Sequence, residues 1–112
     1  MKTKSAGLDR DQLEGVARLF QVLAEPTRLE ILQQLREAPS SVGDLVAALQ
    51  AKQANVSKQL GVLHDAGLVQ RRRDGSQVFY SIREPMIFDL CGLVCKKLQR
   101  DAQRQAELFR SA

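Results

Sequence analysis

The sequence predicts a mainly α-helical domain with one β-hairpin, in the order four helices, two strands and a long fifth helix. Three observations carry the prediction. Up to residue 66, and again after residue 85, apolar side chains recur three or four positions apart, the spacing that lines one face of a helix. Between those stretches the period changes. Leu68–Arg73 and Gln77–Ile82 have strand character and flank Asp74-Gly75-Ser76, and Asp-Gly between two such runs signals a hairpin. The residues that break helices, Pro26, Pro39, Gly67 and Pro85, fall between the runs rather than inside them.

Residues 1–7 read as a disordered tail ahead of a single domain over residues 8–110. Asp9 is placed to cap a first helix reaching about Leu23, with Leu13, Val16, Ala17, Phe20 and Leu23 as its apolar stripe. Glu25-Pro26 interrupts, and proline suits the first turn of a helix, so a second helix starts near Pro26. Leu29, Leu32 and Leu35 form its expected buried face, with Ile31 beside them. Ala38-Pro39-Ser40 ends it. Ser41 and Asp44 have the spacing of a capping box, with Asp in place of Glu, which sets a short third helix over Val42–Leu49. Gln50–Gln53 is a tight link to a fourth helix running from Ala54 to about Ala66. There Val56, Leu60 and Leu63 face inward, and Gly67 stands where a left-handed cap is wanted. Pro85 opens the last helix, which runs to about Phe109. Two short helices joined by a tight turn and followed by a hairpin make a winged helix-turn-helix.

Composition narrows the function. A chain of 112 residues suits one domain, and its hydrophobic share of 44% is ordinary for a globular protein. No apolar run approaches a membrane span, and the charged N-terminus is not followed by the apolar stretch of a secretory signal, so a cytoplasmic protein is expected. Two cysteines in that setting read as thiols, metal ligands or redox centres rather than as a structural staple. The net charge is +4 with a pI near 9.4. Lys52, Lys58, Arg71, Arg72, Arg73 and Arg83, against Asp65 and Asp74, place that entire charge in one segment, the footprint of a polyanionic partner. An enzyme is not expected, since the sequence has no Gly-rich phosphate loop and a single histidine without a His/Asp/Ser constellation.

The fourth helix carries the chemistry. Between its inward apolar positions, Gln53, Asn55, Ser57, Lys58 and Gln59 are expected to point outward at the N-terminal end. Asn and Gln can pair with adenine, Ser can reach a base or a phosphate, and Lys58 offers a phosphate contact. In a helix-turn-helix this end of the second helix meets the base edges. Arg71, Arg72 and Arg73 precede the hairpin turn. Strand alternation puts Arg71 and Arg73 on one face and Arg72 on the other, with guanidinium groups free to lie along a DNA backbone or minor groove.

The segment Leu23–Leu32, reading LAEPTRLEIL, resembles the start of the second helix in the ArsR/SmtB family of bacterial repressors. Asn55–Val69 resembles that family's recognition helix and its exit into the wing, and Asp74-Gly75 through Ile82 resembles its hairpin. The resemblance spans roughly residues 10–110. It implies a homodimer that binds a palindromic double-stranded operator, represses transcription and is released by an inducer.

The last helix also calls for a partner. Ile87, Leu90, Cys91, Val94, Leu98 and Ala102 form a continuous apolar stripe too long for a small core to cover, and a twofold dimer is the simplest cover. The resemblance implies the same: the first and last helices form the dimer interface, which assigns Leu13, Val16 and Phe20 to it together with Ile87, Val94 and Leu98.

Cys91 and Cys95 lie four apart on that stripe, so both thiols share one helical face. Three readings stay open for them. They are small hydrophobes in the interface, or a soft-ion site for arsenite, mercury or a similar thiophile, or a thiol switch for oxidants or reactive sulfur. A disulfide between positions four apart in an intact helix is geometrically poor, since the side-chain vectors run parallel, so oxidation would have to distort the helix or join cysteines of different subunits. The chain departs from the family it resembles at two places. Ser41-Val42-Gly43 stands before Asp44-Leu45 where third-helix metal sensors carry Cys-x-Cys. The last helix has Asp89 but no histidine, and the sole His64 ends the recognition helix, so a zinc site of the family's usual kind is not expected. The rival to a controlled repressor is a ligand-independent DNA-binding or protein-interaction module with structural cysteines.

Overall fold

A computed structural model describes residues 7–111. The expected disordered tail, apart from Gly7, lies outside the described residues. Helix α1 spans Arg10–Leu23 behind a reciprocal capping box, in which Asp9 Oδ1 accepts from the Gln12 amide at 2.8 Å and Gln12 Oε1 from the Asp9 amide at 2.9 Å. Helix α2 spans Pro26–Glu37, with Pro26 in its first turn and the Glu25 carboxylate accepting from the Arg28 amide. Helix α3, Val42–Leu49, starts on the Ser41–Asp44 box, both halves of which form. Helix α4 spans Gln53–Asp65 and helix α5 Met86–Ser111.

The sheet has one strand more than the sequence predicts. Ser40–Ser41 forms a two-residue strand, β1, ahead of the hairpin strands β2 (Val69–Asp74) and β3 (Gln77–Ile82). The order is β1-β3-β2, all antiparallel, with Ser40 opposite Tyr80 and Arg71 opposite Tyr80 on its other side. Two residues are too few to show a period, and their serines signal the helix cap that follows instead. Asp74 pairs with Gln77, so the turn is Gly75-Ser76 and only Gly75 takes positive φ, at 67°. That is the pattern of a II′ hairpin, with glycine at its first central position and the aspartate closing the strand before it.

One core joins these elements. Ile31, Leu32 and Leu35 of α2, Leu45 of α3, Val56, Leu60 and Leu63 of α4, and Leu68 and Val69 at the hairpin root are buried together, with Tyr80 and Ile82 packed against them. Two apolar assignments change. Leu29 is 37% exposed, and Ile31 takes its place in the core. Ile87, expected at the dimer interface, is wholly buried inside the chain. The reason is local. The amides of Arg83 and Glu84 both donate to the Leu68 carbonyl, which folds the chain back over the end of α4 and drives the first turn of α5 into the core. The same stripe then leaves the core as the helix projects. Val94 and Leu98 are about half exposed or more, at 49% and 60%, as are Leu13 and Phe20 of α1 at 50% each, with Val16 at 40%.

Candidate nucleic-acid interface

Helices α3 and α4 meet at a turn that leaves α4's first amides bare. Gln50 ends α3 in the left-handed conformation at φ 52°, and Lys52 precedes α4 without a side-chain capping bond. Unsatisfied first-turn amides and the positive end of the helix dipole together suit a phosphate. Val56, Leu60 and Leu63 bury one side of α4, so Gln53, Asn55, Ser57 and Lys58 stand exposed on the other. At its far end α4 closes in a Schellman motif. Leu68 N–H donates to Leu63 and Gly67 N–H to His64, with Gly67 at φ 76° and Leu68 buried beyond it. This cap turns the chain at once into the wing and fixes the wing's position relative to α4.

Gln59 does not join the outward set. It is 6% exposed, and its side chain is held at both ends: Arg28 Nη1 donates to its Oε1 at 2.6 Å, and its Nε2 donates to Asn55 Oδ1 at 2.9 Å. The sequence contains the signal for this. Position 59 lies three residues after Val56 and four before Leu63, within the inward stripe, so its polarity disguises its phase. Arg28, which sequence reasoning did not single out as a site residue, is anchored in turn. Its Nε donates to the Val22 carbonyl at 2.6 Å and its Nη2 to the Gln21 carbonyl at 3.3 Å, both in the last turn of α1.

The hairpin presents cations. Arg71, Arg72 and Arg73 are all exposed, Arg71 and Arg73 on the face of buried Val69 and Arg72 on the face of Gln70, which donates to Ser81 Oγ. Among the described residues none of Lys58, Arg71, Arg72 and Arg73 forms an ion pair. They are cations without an internal counter-charge, set on two neighbouring projections.

The cysteines lie elsewhere. Cys91 is half-buried, Cys95 is exposed, and both are free thiols. They line a cleft of about 420 Å³ between α2 and α5 with Leu29, Leu32, Gln33 and Arg36, where Arg36 stacks over Phe88 at 4.9 Å. On their other side they border an apolar groove formed by Phe20, Leu29, Leu90, Val94 and Leu98. Among the described residues no three His, Cys, Asp or Glu side chains gather to hold a metal ion.

The family model for bacterial regulatory proteins of the arsR family matches residues 25–71, from the cap of α2 into the wing. The chain is also 44% identical over 85 residues to the HTH-type transcriptional regulator Rv0081 of Mycobacterium tuberculosis, a match covering 75% of each protein. The chain belongs to the ArsR family. The crystal structure of Rv0081 superposes with a TM-score of 0.78 at 37% identity, covering 88% of this chain and 99% of that one. A homodimeric winged helix-turn-helix DNA-binding domain, Mb0332 of Mycobacterium bovis, superposes with a TM-score of 0.70 at 30% identity over 86% of this chain and 91% of its own. A biofilm growth-associated repressor of Agrobacterium fabrum is 45% identical over 62% of this chain and 59% of its own length. Like its ArsR relatives, the chain is a DNA-binding transcription regulator rather than an enzyme. No described helix is long and apolar enough to cross a membrane.

Proposed function

We propose that this ArsR-family chain is a repressor that binds a palindromic operator through α4 and the hairpin, and that thiol chemistry at Cys91 and Cys95 releases it. The observation that carries the reading is the placement of both thiols in the α2–α5 cleft beside Leu29, the residue that follows Arg28, whose side chain holds α4. An event that wedges α5 from α2 acts on the helix to which the DNA-reading element is tied. Repression itself is supported by the Agrobacterium relative, which is named a repressor. The contact set is Gln53, Asn55, Ser57, Lys58, Arg71 and Arg73, with Gln59 moved behind it. The twofold surface is the exposed apolar side of α1 and α5, Leu13, Val16, Phe20, Val94 and Leu98, without Ile87.

Two inducer classes fit a pair of thiols with no third donor gathered beside them among the described residues. A thiophilic ion such as arsenite takes both thiolates, with the remaining ligand drawn from the partner chain or from solution. An oxidant or reactive sulfur species converts thiols to a disulfide between subunits, since the intrahelical bond is geometrically poor. Operator binding is to be measured with arsenite, mercury, persulfide and peroxide in turn, on wild type and on Cys91→Ser/Cys95→Ser. One of the four is expected to release the wild type at least tenfold, about 1.4 kcal/mol, and to leave the double variant bound. A wild type that none of them releases, or a double variant that still responds, makes the cysteines structural and leaves operator binding intact.

A further inference from the structure

Arg28, Gln59 and Asn55 form a hydrogen-bonded chain whose direction is fixed at one end. A guanidinium donates and never accepts. With Arg28 Nη1 on Gln59 Oε1 at 2.6 Å, the Gln59 amide must turn its oxygen toward α2, and its Nε2 is left facing Asn55. Gln59 Nε2 can only donate, so the Asn55 amide turns its Oδ1 inward, 2.9 Å away, and its Nδ2 outward. Arg28 cannot easily be displaced, because Val22 and Gln21 hold the rest of its fork at the end of α1, where a cation also meets the negative end of the helix dipole. Gln59 is 6% exposed, so water does not compete for the central bonds, while Asn55 stands in solvent on the outer face of α4.

We propose that Arg28 and Gln59 are positioning residues that set base preference by making Asn55 a hydrogen-bond donor toward the DNA. The inference rests on reading α4 as the recognition helix. A free asparagine offers both edges of its amide and pairs with adenine as donor and acceptor together. Here the acceptor is engaged from behind, and the outward nitrogen seeks acceptors in the major groove, of which guanine offers two, N7 and O6, against one each on adenine (N7) and thymine (O4). It opposes the N4 amino group of cytosine, which also donates. Neither Arg28 nor Gln59 needs to touch DNA to exert this preference.

The test selects a duplex library, randomised over two half-sites, with the full-length wild type and with Gln59→Glu. A glutamate at this position has only acceptor oxygens. One keeps Arg28, and the other accepts from Asn55 Nδ2, which reverses the amide and turns Oδ1 outward. Wild type is expected to favour guanine over cytosine by about tenfold at one symmetric pair of positions, the size of one good base contact, and Gln59→Glu to favour cytosine there. Arg28→Lys, which still only donates, keeps the wild-type preference; Arg28→Met, which does not donate, flattens it. An unchanged preference in both Gln59→Glu and Arg28→Met overturns the inference and leaves the DNA-binding reading standing. A wild type that selects no sequence overturns that reading and the inference with it. Should Gln59→Glu fail to fold, the side-chain amide protons of the wild type decide. Those of Gln59 are expected to exchange with water slowly and those of Asn55 fast, and the opposite order overturns the proposal.

Discussion

Lys58, Arg71, Arg72 and Arg73 are the residues whose energetics depend most on what lies outside the protein. None has a counter-charge among the described residues, so bringing phosphates to them breaks no internal ion pair. Each phosphate neutralised releases condensed counterions, which makes the binding constant fall with salt by about 0.9 in log–log slope per contact. Lys58→Ala with Arg73→Ala is therefore expected to weaken binding to every duplex alike and to reduce that slope by roughly 1.8, read from titrations at several salt concentrations. Unchanged affinity would mean that these cations do not touch DNA. At this scale the sequence was legible for charges and less so for amides. Lys58 and the three hairpin arginines stand in water, as their charge requires. Glutamine can go either way, and for Gln59 the outcome depended on Arg28, thirty-one positions away in sequence. No single-helix pattern contains that partner.

Elements obey their caps. The two capping boxes, the proline of α2 and the glycine after α4 all appear where local rules place them, because each is settled within four or five residues. Gly67 and Gln50 show what such positions are worth. Both have positive φ, but only one is glycine. Nothing lies within 4 Å of a Cβ added at Gly67, so Gly67→Ala meets no clash and its cost is backbone strain alone, about 1–2 kcal/mol. Gln50→Gly relieves the same strain at the end of α3 and is expected to raise stability by about 0.5 kcal/mol after the added freedom of the unfolded chain is counted. Denaturant midpoints of the two variants should move in opposite directions; movement in the same direction would refute the assignment. Strand β1 escaped sequence reading because it exists only through β3, forty residues later, and has no pattern of its own.

On the scale of the whole molecule, the chain is unfinished by itself. Its radius of gyration is 18.0 Å, where a compact chain of this length has about 13 Å. The excess comes with α5, whose residues from Gly92 to Phe109 are exposed except for Asp101, with Leu93 at 65%, Leu108 at 66% and Phe109 at 76%. The stripe on α5 was legible in sequence, but where it passes from core to open surface was not, since that point is set by the return of the chain over Leu68. The passage gives a paired prediction. Ile87→Lys places a charge in the core and is expected to unfold the chain, a loss of several kcal/mol against a typical total of about 5–15. Leu98→Lys should leave the far-ultraviolet spectrum native while shifting sedimentation from dimer to monomer and weakening operator binding at least tenfold. A Leu98→Lys protein that remains dimeric would remove this face from the interface. The overhang of α5 also bears on the lifetime of the protein. A copy without a partner presents about five turns of helix with no core beneath them, and pairing through the proposed face is expected to shield that length from proteases. On the proposed reading, turnover is expected to be fastest for the chains that cannot occupy an operator, which trims the pool toward its operator-binding form.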